Sequence, residues 1–94
     1  GEIEHGLLLD ERIKQAVVVP KYQGNKVQQL VAFVVLEKRS ETPSFKLSKS
    51  IKEKLADSVM DYMIPQKINY VECLPQTTNG KVDRKKLMAE VNSL

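Results

Sequence analysis

Two runs of aliphatic and β-branched residues, separated by a short polar stretch, constrain the fold of this 94-residue chain more than any other feature. Residues 16–19 (Ala-Val-Val-Val) precede Pro20, and residues 30–36 (Leu-Val-Ala-Phe-Val-Val-Leu) follow a turn at residues 21–26. Both runs are apolar at every position, which is typical of strands that are buried on both sides. Because the connection is short, we predict a hairpin of two central antiparallel strands.

A short helix is predicted before this hairpin, within residues 1–13. Three apolar residues of this segment have the spacing of one helix face, namely Ile3, Leu7 and Leu8. Acidic residues fall outside that face, namely Glu2, Glu4 and Asp10. An acidic start suits a helix N-terminus, where the helix dipole favours negative charge.

A second helix is predicted after a polar surface loop at residues 37–49. Ser50 and Glu53 have the spacing of a capping box, with Ser48 as the alternative N-cap. Every fourth residue is apolar and forms a buried stripe: Ile51, Leu55 and Val59. We predict that the helix ends near Met63, because the proline two residues later disfavours helical geometry just before it.

The remaining segments complete a small α+β domain. Residues 67–74 alternate in the manner of a half-buried edge strand, and a polar loop follows them. Asp83 is predicted to cap a terminal helix with three core-facing residues, Leu87, Met88 and Val91. The predicted fold is a three-stranded, mainly antiparallel sheet flanked by helices, and we treat residues 1–94 as a single domain.

Composition argues against several functional classes. Lys and Arg number 15 and Asp and Glu 12, so the net charge is only +3, and the charges are dispersed along the sequence. With no Trp, three Tyr and two Phe, the chain lacks the aromatic residues that stack on nucleic-acid bases. No apolar run is long enough to span a membrane, and the N-terminus does not resemble a signal peptide. We expect a soluble, cytoplasmic protein that does not insert into membranes.

The reactive side chains of the common catalytic and metal sites are scarce. Cys73 is the only cysteine, so no intrachain disulfide can form, and its strand pattern predicts an inert, partly buried thiol. His5 is the only histidine and is predicted to lie on a helix surface. A nucleophilic triad or a clustered zinc site is therefore not expected.

One lysine lies where it could reach another molecule. Asn79 and Gly80 accept the positive φ values of tight turns, and Lys81 follows them at the predicted tip of the polar loop. On this spacing alone, an ordinary solvent-facing turn is the better interpretation of Lys81. The basic residues around it permit two readings, a solvated helix face or a contact with phosphate: Lys81, Arg84, Lys85 and Lys86.

A family resemblance changes that balance. Residues 79–84 (Asn-Gly-Lys-Val-Asp-Arg), preceded by Leu74-Pro75 and Thr77, resemble the C-terminal signature of the adenylate-forming superfamily. This superfamily includes acyl-CoA synthetases, adenylation domains of nonribosomal peptide synthetases and firefly luciferase. Residues 62–65 (Tyr-Met-Ile-Pro) are similar to its preceding motif, and residues 1–4 (Gly-Glu-Ile-Glu) to the end of the motif after its interdomain hinge. The three motifs occur in the family's order and span almost the whole chain.

The resemblance implies a catalytic role for Lys81. In that family a lysine from a mobile C-terminal domain stabilises the attack of a carboxylate on the α-phosphate of ATP. Thr77, Asn79 and Gly80 would support the loop, Asp83 would cap the helix behind it, and Arg84 would support the loop without being catalytic. The domain then rotates, so that a thiol can attack the acyl-adenylate.

The same resemblance implies what the chain works with. ATP and Mg²⁺ are expected in the full-length enzyme, and this chain alone is expected to hold neither of them. Its partners would be its own N-terminal adenylation domain and a phosphopantetheinylated carrier protein. Because the hinge and the acyl pocket would lie upstream of Gly1, we expect the isolated chain to be inactive.

Within the superfamily, residues 16–20, 47–55 and 61–67 together resemble the ligases that load D-alanine onto a D-alanyl carrier protein for teichoic acid synthesis. Met60 and Asp61 depart from the Leu-Pro pair that many relatives have before the aromatic residue. A nonribosomal peptide synthetase adenylation domain is the alternative, since both kinds of enzyme load a carrier protein. A stand-alone basic RNA-binding module is the alternative from a different class.

Overall fold

A computed structural model of the chain describes residues 2–37, 44–60 and 63–92. The described residues form three helices and three strands: α1 (Glu2–Leu8), β1 (Ile13–Gln23), β2 (Lys26–Leu36), α2 (Phe45–Leu55), β3 (Lys67–Tyr70) and α3 (Arg84–Asn92). The order of these elements and the α+β class are those predicted from the sequence. Gly1 and Tyr62, which begin two of the quoted motifs, lie outside the described residues.

The three strands form one mixed sheet in the order β1-β2-β3. β1 and β2 are antiparallel and form the predicted hairpin, whose turn contains Gly24 at φ +63°. β3 pairs with β2 in parallel, because the intervening α2 carries the chain back along the sheet before β3 begins. The prediction that both hairpin strands are central was wrong, since β2 alone is central and β1 lies at an edge.

Helices cover both faces of the sheet. The face toward α1 and α2 buries Leu7, Ile13, Ala32, Val34, Leu47, Ile51 and Leu55. The face toward α3 buries Val17, Val19, Val31, Phe33, Val35, Leu74 and Leu87. Side chains alternate between the faces of a strand, so residues 31–35 of β2 are all buried although successive residues point in opposite directions. The continuous apolar run in the sequence is explained by this double coverage.

Side chains complete the hydrogen bonds along the outer edge of β1 at alternate positions. The Val18 N–H donates to Glu4 Oε2 at 2.9 Å, and the Tyr22 N–H donates to Asn92 Oδ1 at 2.8 Å. Between them, Pro20 has no N–H to donate, and its carbonyl accepts from Asn92 Nδ2 at 3.1 Å. Residues of α1 and α3 therefore seal this edge of the sheet.

The first helix is shorter than the segment from which it was predicted, and its faces differ from the prediction. Leu7 is buried, but Leu8 is exposed, whereas the acidic residues Glu4 and Asp10 are buried. Asp10 can be buried because Arg12 binds it through both Nε and Nη2, at 2.9 and 2.7 Å. A prediction from apolar periodicity places every acidic side chain on the solvent side. It therefore misses carboxylates that are buried because a basic side chain or a distant backbone N–H binds them.

The second helix begins and ends earlier than predicted. Its N-cap is Ser44, whose side chain accepts a hydrogen bond from the Leu47 N–H at 3.1 Å. Neither Ser48 nor Ser50 caps the helix, because both lie within it. Ser48 Oγ pairs with the Tyr70 hydroxyl at 2.8 Å, and Ser50 Oγ accepts from Arg12 Nη1 at 3.1 Å.

The same helix ends at Leu55, so the predicted end near Met63 was wrong. Asp57 and Ser58 follow, and both residue types favour turns over helix interiors. Val59 still packs on the core as part of the predicted stripe. The third strand is likewise shorter than predicted, ending at Tyr70 with one further ladder bond from the Val71 N–H to Val34 O at 3.0 Å.

Removal of the Ser44 cap should destabilise the domain. We expect Ser44→Ala to lower the free energy of unfolding by about 1 kcal/mol, because the Leu47 N–H loses its acceptor at the start of α2. Chemical denaturation of the chain measures this change. Ser58→Ala, in an exposed turn, is the control. A loss no greater than that of the control would contradict the assignment of Ser44 as the cap.

Candidate functional site

The candidate site is a narrow turn between β3 and α3. Gln76 and Val82 form an antiparallel bridge, and the Thr77 N–H donates to Lys81 O at 2.7 Å. The Gly80 N–H closes the turn by donating to Thr77 O at 2.9 Å. Gly80 has φ +80°, whereas Asn79 has a negative φ, so the reversal depends on the glycine alone. The predicted reversal is confirmed, but a positive φ at Asn79 was not needed.

Lys81 leaves this turn with its backbone fixed and its side chain free. The Lys81 carbonyl is held by Thr77, while the side chain is exposed. In the described part of the chain, no carboxylate or hydrogen-bond acceptor pairs with its ammonium group. A lysine carries a compact positive charge on a flexible stem, so this group can turn toward an anion approaching the tip. The predicted exposure of Lys81 is confirmed, although Lys81 pairs with Thr77 beside the turn and Thr78 and Asn79 form its tip.

The base of the turn is anchored to the α3 layer. The Asp83 N–H donates to Pro75 O at 2.8 Å, and Leu74 is buried in the cluster that contains Leu87. Asp83 Oδ1 accepts from the Lys86 N–H at 3.0 Å, which confirms the predicted N-cap of α3. Hydrogen bonds therefore fix the backbone both before Lys81, at Gly80, and after it, at Asp83.

Arg84, the first residue of α3, forms an ion pair with Glu4 of α1. The distance between Arg84 Nη2 and Glu4 Oε1 is 2.6 Å, and the second carboxylate oxygen accepts from the Val18 N–H. The Glu4 side chain is only 10% exposed and that of Arg84 is 55% exposed. Burial acts to raise the pKa of Glu4, but hydrogen bonds and charge, chiefly from Arg84 and the Val18 N–H, outweigh it and lower the pKa to about 2. Glu4 is thus a carboxylate throughout the physiological range.

Sequence reasoning missed this pair because its members are 80 residues apart. Helical periodicity assigned Glu4 to the solvent side, and Arg84 was read as part of a basic patch. The patch does not form one surface, since Arg84 turns toward Glu4 while Lys86 borders a shallow cleft with Cys73 and Glu90. No local sequence pattern shows that the side chains of Arg84 and Lys86 point in different directions.

The remaining reactive residues do not join the turn in a common site. His5 is exposed on α1, as predicted. Cys73 is exposed beyond the end of β3, so the predicted partly buried thiol in a strand was wrong. The described residues contain no group of three or more His, Cys, Asp or Glu side chains that could hold a metal ion. Among the described helices, none has the length and apolar character needed to cross a membrane.

Comparison with known proteins matches this chain to one family over most of its length. The family model described as AMP-binding enzyme C-terminal domain matches residues 2–81, and thus ends on Lys81. A D-alanine–D-alanyl carrier protein ligase from Lacticaseibacillus rhamnosus is 49% identical over 92 residues, which are 97% of this chain and 18% of that protein. A ligase of the same name from Bacillus anthracis is 45% identical over 92 residues, 98% of this chain and 18% of that protein.

A solved structure agrees with these relatives. The crystal structure of a benzoate CoA ligase from Burkholderia xenovorans LB400 matches with a TM-score of 0.82 and 36% identity, over 93% of this chain and 17% of that chain. The present chain spans 18% of the length of the two carrier protein ligases. The matched part of each relative is therefore a small fraction of a much larger protein.

The pH dependence of stability should reveal the Glu4 ion pair. The pKa of Glu4 falls from 4.5 to about 2 on folding, so its contribution is complete above pH 4.5 and is lost as the pH falls through 2. We expect Glu4→Gln to lower the free energy of unfolding at pH 7 by about 2 kcal/mol, less than for a fully buried pair because Arg84 is half exposed.

The difference between the wild type and Glu4→Gln should shrink between pH 4.5 and pH 2, as measured by chemical denaturation across that range. Glu53→Gln, at an exposed position on α2, is the control. A difference that stays constant with pH would show that charge pairing does not stabilise the domain at Glu4.

Proposed function

The chain belongs to the family of AMP-binding enzyme C-terminal domains, and from this premise we propose that it is the mobile C-terminal domain of an ATP-dependent ligase. The ligase adenylates D-alanine and transfers it to the phosphopantetheine thiol of a carrier protein. Support for this substrate and partner comes from the carrier protein ligases, which resemble the chain over nearly all of its length. The large N-terminal domain contributes the nucleotide site and the acyl pocket.

The observation that carries this proposal is a lysine, without a side-chain partner among the described residues, on a turn whose backbone is fixed by hydrogen bonds. In the first half-reaction a carboxylate oxygen of D-alanine bonds to the α-phosphorus of ATP, while the bond from that phosphorus to the bridging oxygen breaks and pyrophosphate leaves. Two anions must approach each other, and negative charge grows on the phosphoryl oxygens. The Lys81 ammonium group stabilises that charge in the transition state.

The residues around Lys81 keep its backbone in place for this step. Gly80 adopts the positive φ that the turn needs, and Thr77 binds both Gly80 N–H and Lys81 O through its own backbone. Asn79 occupies the turn position before Gly80. These three residues support the loop, and Lys81 alone among them acts on the reacting groups.

The second half-reaction needs a different arrangement of the same domain. The carrier thiol attacks the carbonyl carbon of D-alanyl-adenylate, the acyl–phosphate bond breaks, and AMP leaves as the thioester forms. Rotation of this domain withdraws Lys81 and opens a path for the thiol. Mg²⁺ would partly neutralise the phosphate charge, and the N-terminal domain would hold it, since no described residues of this chain form a group that could. The cytoplasm, where ATP is available, is the compartment in which this reaction proceeds.

Loss of the Lys81 ammonium should separate the two half-reactions. In the full-length ligase, we expect Lys81→Ala to lower D-alanine-dependent exchange of pyrophosphate into ATP by about 100-fold or more, because one transition-state cation is lost. Transfer from supplied D-alanyl-adenylate to the carrier protein should fall far less. Lys46→Ala, at an exposed position on α2, is the control. Equal loss in both half-reactions would contradict the proposed role of Lys81.

Two glycines of the chain allow a test of the turn itself. Gly80 and Gly24 both have positive φ, at +80° and +63°, and a Cβ on either would meet no atom within 4 Å. Gly80→Ala and Gly24→Ala should each destabilise the domain by about 1 kcal/mol through backbone strain alone. We expect only Gly80→Ala to lower the pyrophosphate exchange rate, because only that turn carries Lys81. Equal exchange rates in the two variants would argue against a catalytic role of the turn.

A further inference from the structure

Glu4 connects three elements that are distant in sequence. Its carboxylate accepts from Arg84 at the start of α3 and from the backbone N–H of Val18 in β1, while its own backbone belongs to α1. Both oxygens of a largely buried carboxylate are thus occupied by partners that fix its position. The first turn of α1 and the first turn of α3 are thereby joined across the edge of the sheet.

This connection lies directly behind the turn that carries Lys81. Arg84 is three residues beyond Lys81, and the intervening Asp83 is bonded to Pro75 on the other strand of the turn. Leu87 is the only fully buried residue of α3 among those described, and the Glu4–Arg84 pair adds a polar connection to its apolar packing at this helix end. A displacement of Arg84 would therefore move the base of the turn, and Lys81 with it.

A second ion pair in this fold lies away from the Lys81 turn. Asp10 and Arg12 form a pair of similar length, 2.7 Å, with a carboxylate that is buried even more deeply. That pair joins residues two apart and tightens the connection between α1 and β1, far in sequence from the Lys81 turn. The Glu4–Arg84 pair differs in spanning the chain and in ending beside the proposed catalytic loop.

We propose that Glu4 and Arg84 are positioning residues, which act through the start of α3 to hold Lys81 in place for the adenylation half-reaction. This inference rests on the proposed function of Lys81. Because Glu4 engages the Arg84 guanidinium, the Arg84 side chain is held at the start of α3 and leaves the approaching phosphate to Lys81. The pair affects the step that uses Lys81 and leaves the thiol-transfer step, from which Lys81 is withdrawn, almost unchanged.

Kinetics of the two half-reactions in the full-length ligase test this proposal. Glu4→Gln and Arg84→Gln should each lower kcat for D-alanine-dependent pyrophosphate exchange about 10- to 100-fold, as expected for a catalytic group misplaced by about 1 Å. The KM values for ATP and D-alanine, and the rate of transfer from supplied D-alanyl-adenylate, should stay within about threefold of the wild type. The double variant should lose no more than the worse single variant, because both changes break one connection.

Asp10→Asn is the matched control, since it removes the charge of the other buried carboxylate and is expected to destabilise the domain without lowering kcat. Thermal unfolding of each variant gives the folded fraction at the assay temperature. The proposal is overturned if the Glu4 and Arg84 variants lose both half-reactions in proportion to that fraction, or if Asp10→Asn lowers kcat equally.

Lys81→Ala, assayed in parallel, separates this inference from the proposed function. Loss of exchange in Lys81→Ala together with near-normal exchange in Glu4→Gln would overturn the positioning role and leave the proposed function intact. Normal exchange in Lys81→Ala would overturn both. Loss of exchange in all three variants, with transfer and KM retained, is the result that supports the proposal.

Discussion

Burial of the central strand on both faces is the constraint on which the rest of this structure depends. Residues 31–35 of β2 are apolar at every position, so neither face of the sheet can be left to solvent. The two helices before and after the hairpin cover one face, and a third helix must cover the other. The chain reaches that second face only after β3, and the connection it makes there is the turn that carries Lys81. The position of the candidate site thus follows from the requirement that a helix cover the second face of the sheet.

Ion pairing and hydrogen bonds add to the apolar packing that holds α3 on the sheet. Among the described residues of α3, only Leu87 is fully buried against the sheet. Polar groups bind both ends of α3 to residues at the β1 edge. Arg84 binds the Glu4 carboxylate at one end, and Asn92 binds Tyr22 and Pro20 at the other. A buried carboxylate is tolerable in such a place because its charge is neutralised and both its oxygens accept hydrogen bonds. Directional bonds of this kind supplement the packing of Leu87 and the partly buried Val91 and fix the orientation of the helix.

Local patterns in the sequence predicted the local features well. The hairpin, the Asp83 cap and the exposed Lys81 each depend on residues within a few positions of one another, and all three are confirmed. The cap of α2 was misassigned because Ser50 and Glu53 have the spacing of a capping box inside a helix that begins earlier, at Phe45. Ser48 and Ser50 lie within that helix and bind Tyr70 and Arg12 instead. The parallel pairing of β3 and the Glu4–Arg84 pair depend on residues far apart, which periodicity does not register. The catalytic role of Lys81 remains a prediction.

The sealed edge of β1 has a consequence for how the domain meets other proteins. An open strand edge offers unpaired N–H and C=O groups to any extended peptide, and this is a common start of strand exchange and aggregation. Here Glu4, Pro20 and Asn92 remove those groups at alternate positions along β1. The rotation proposed above requires the domain to leave one partner surface and return to it, which needs contacts that release. Occupation of these groups opposes the addition of an extra strand at residues 18–22 of β1.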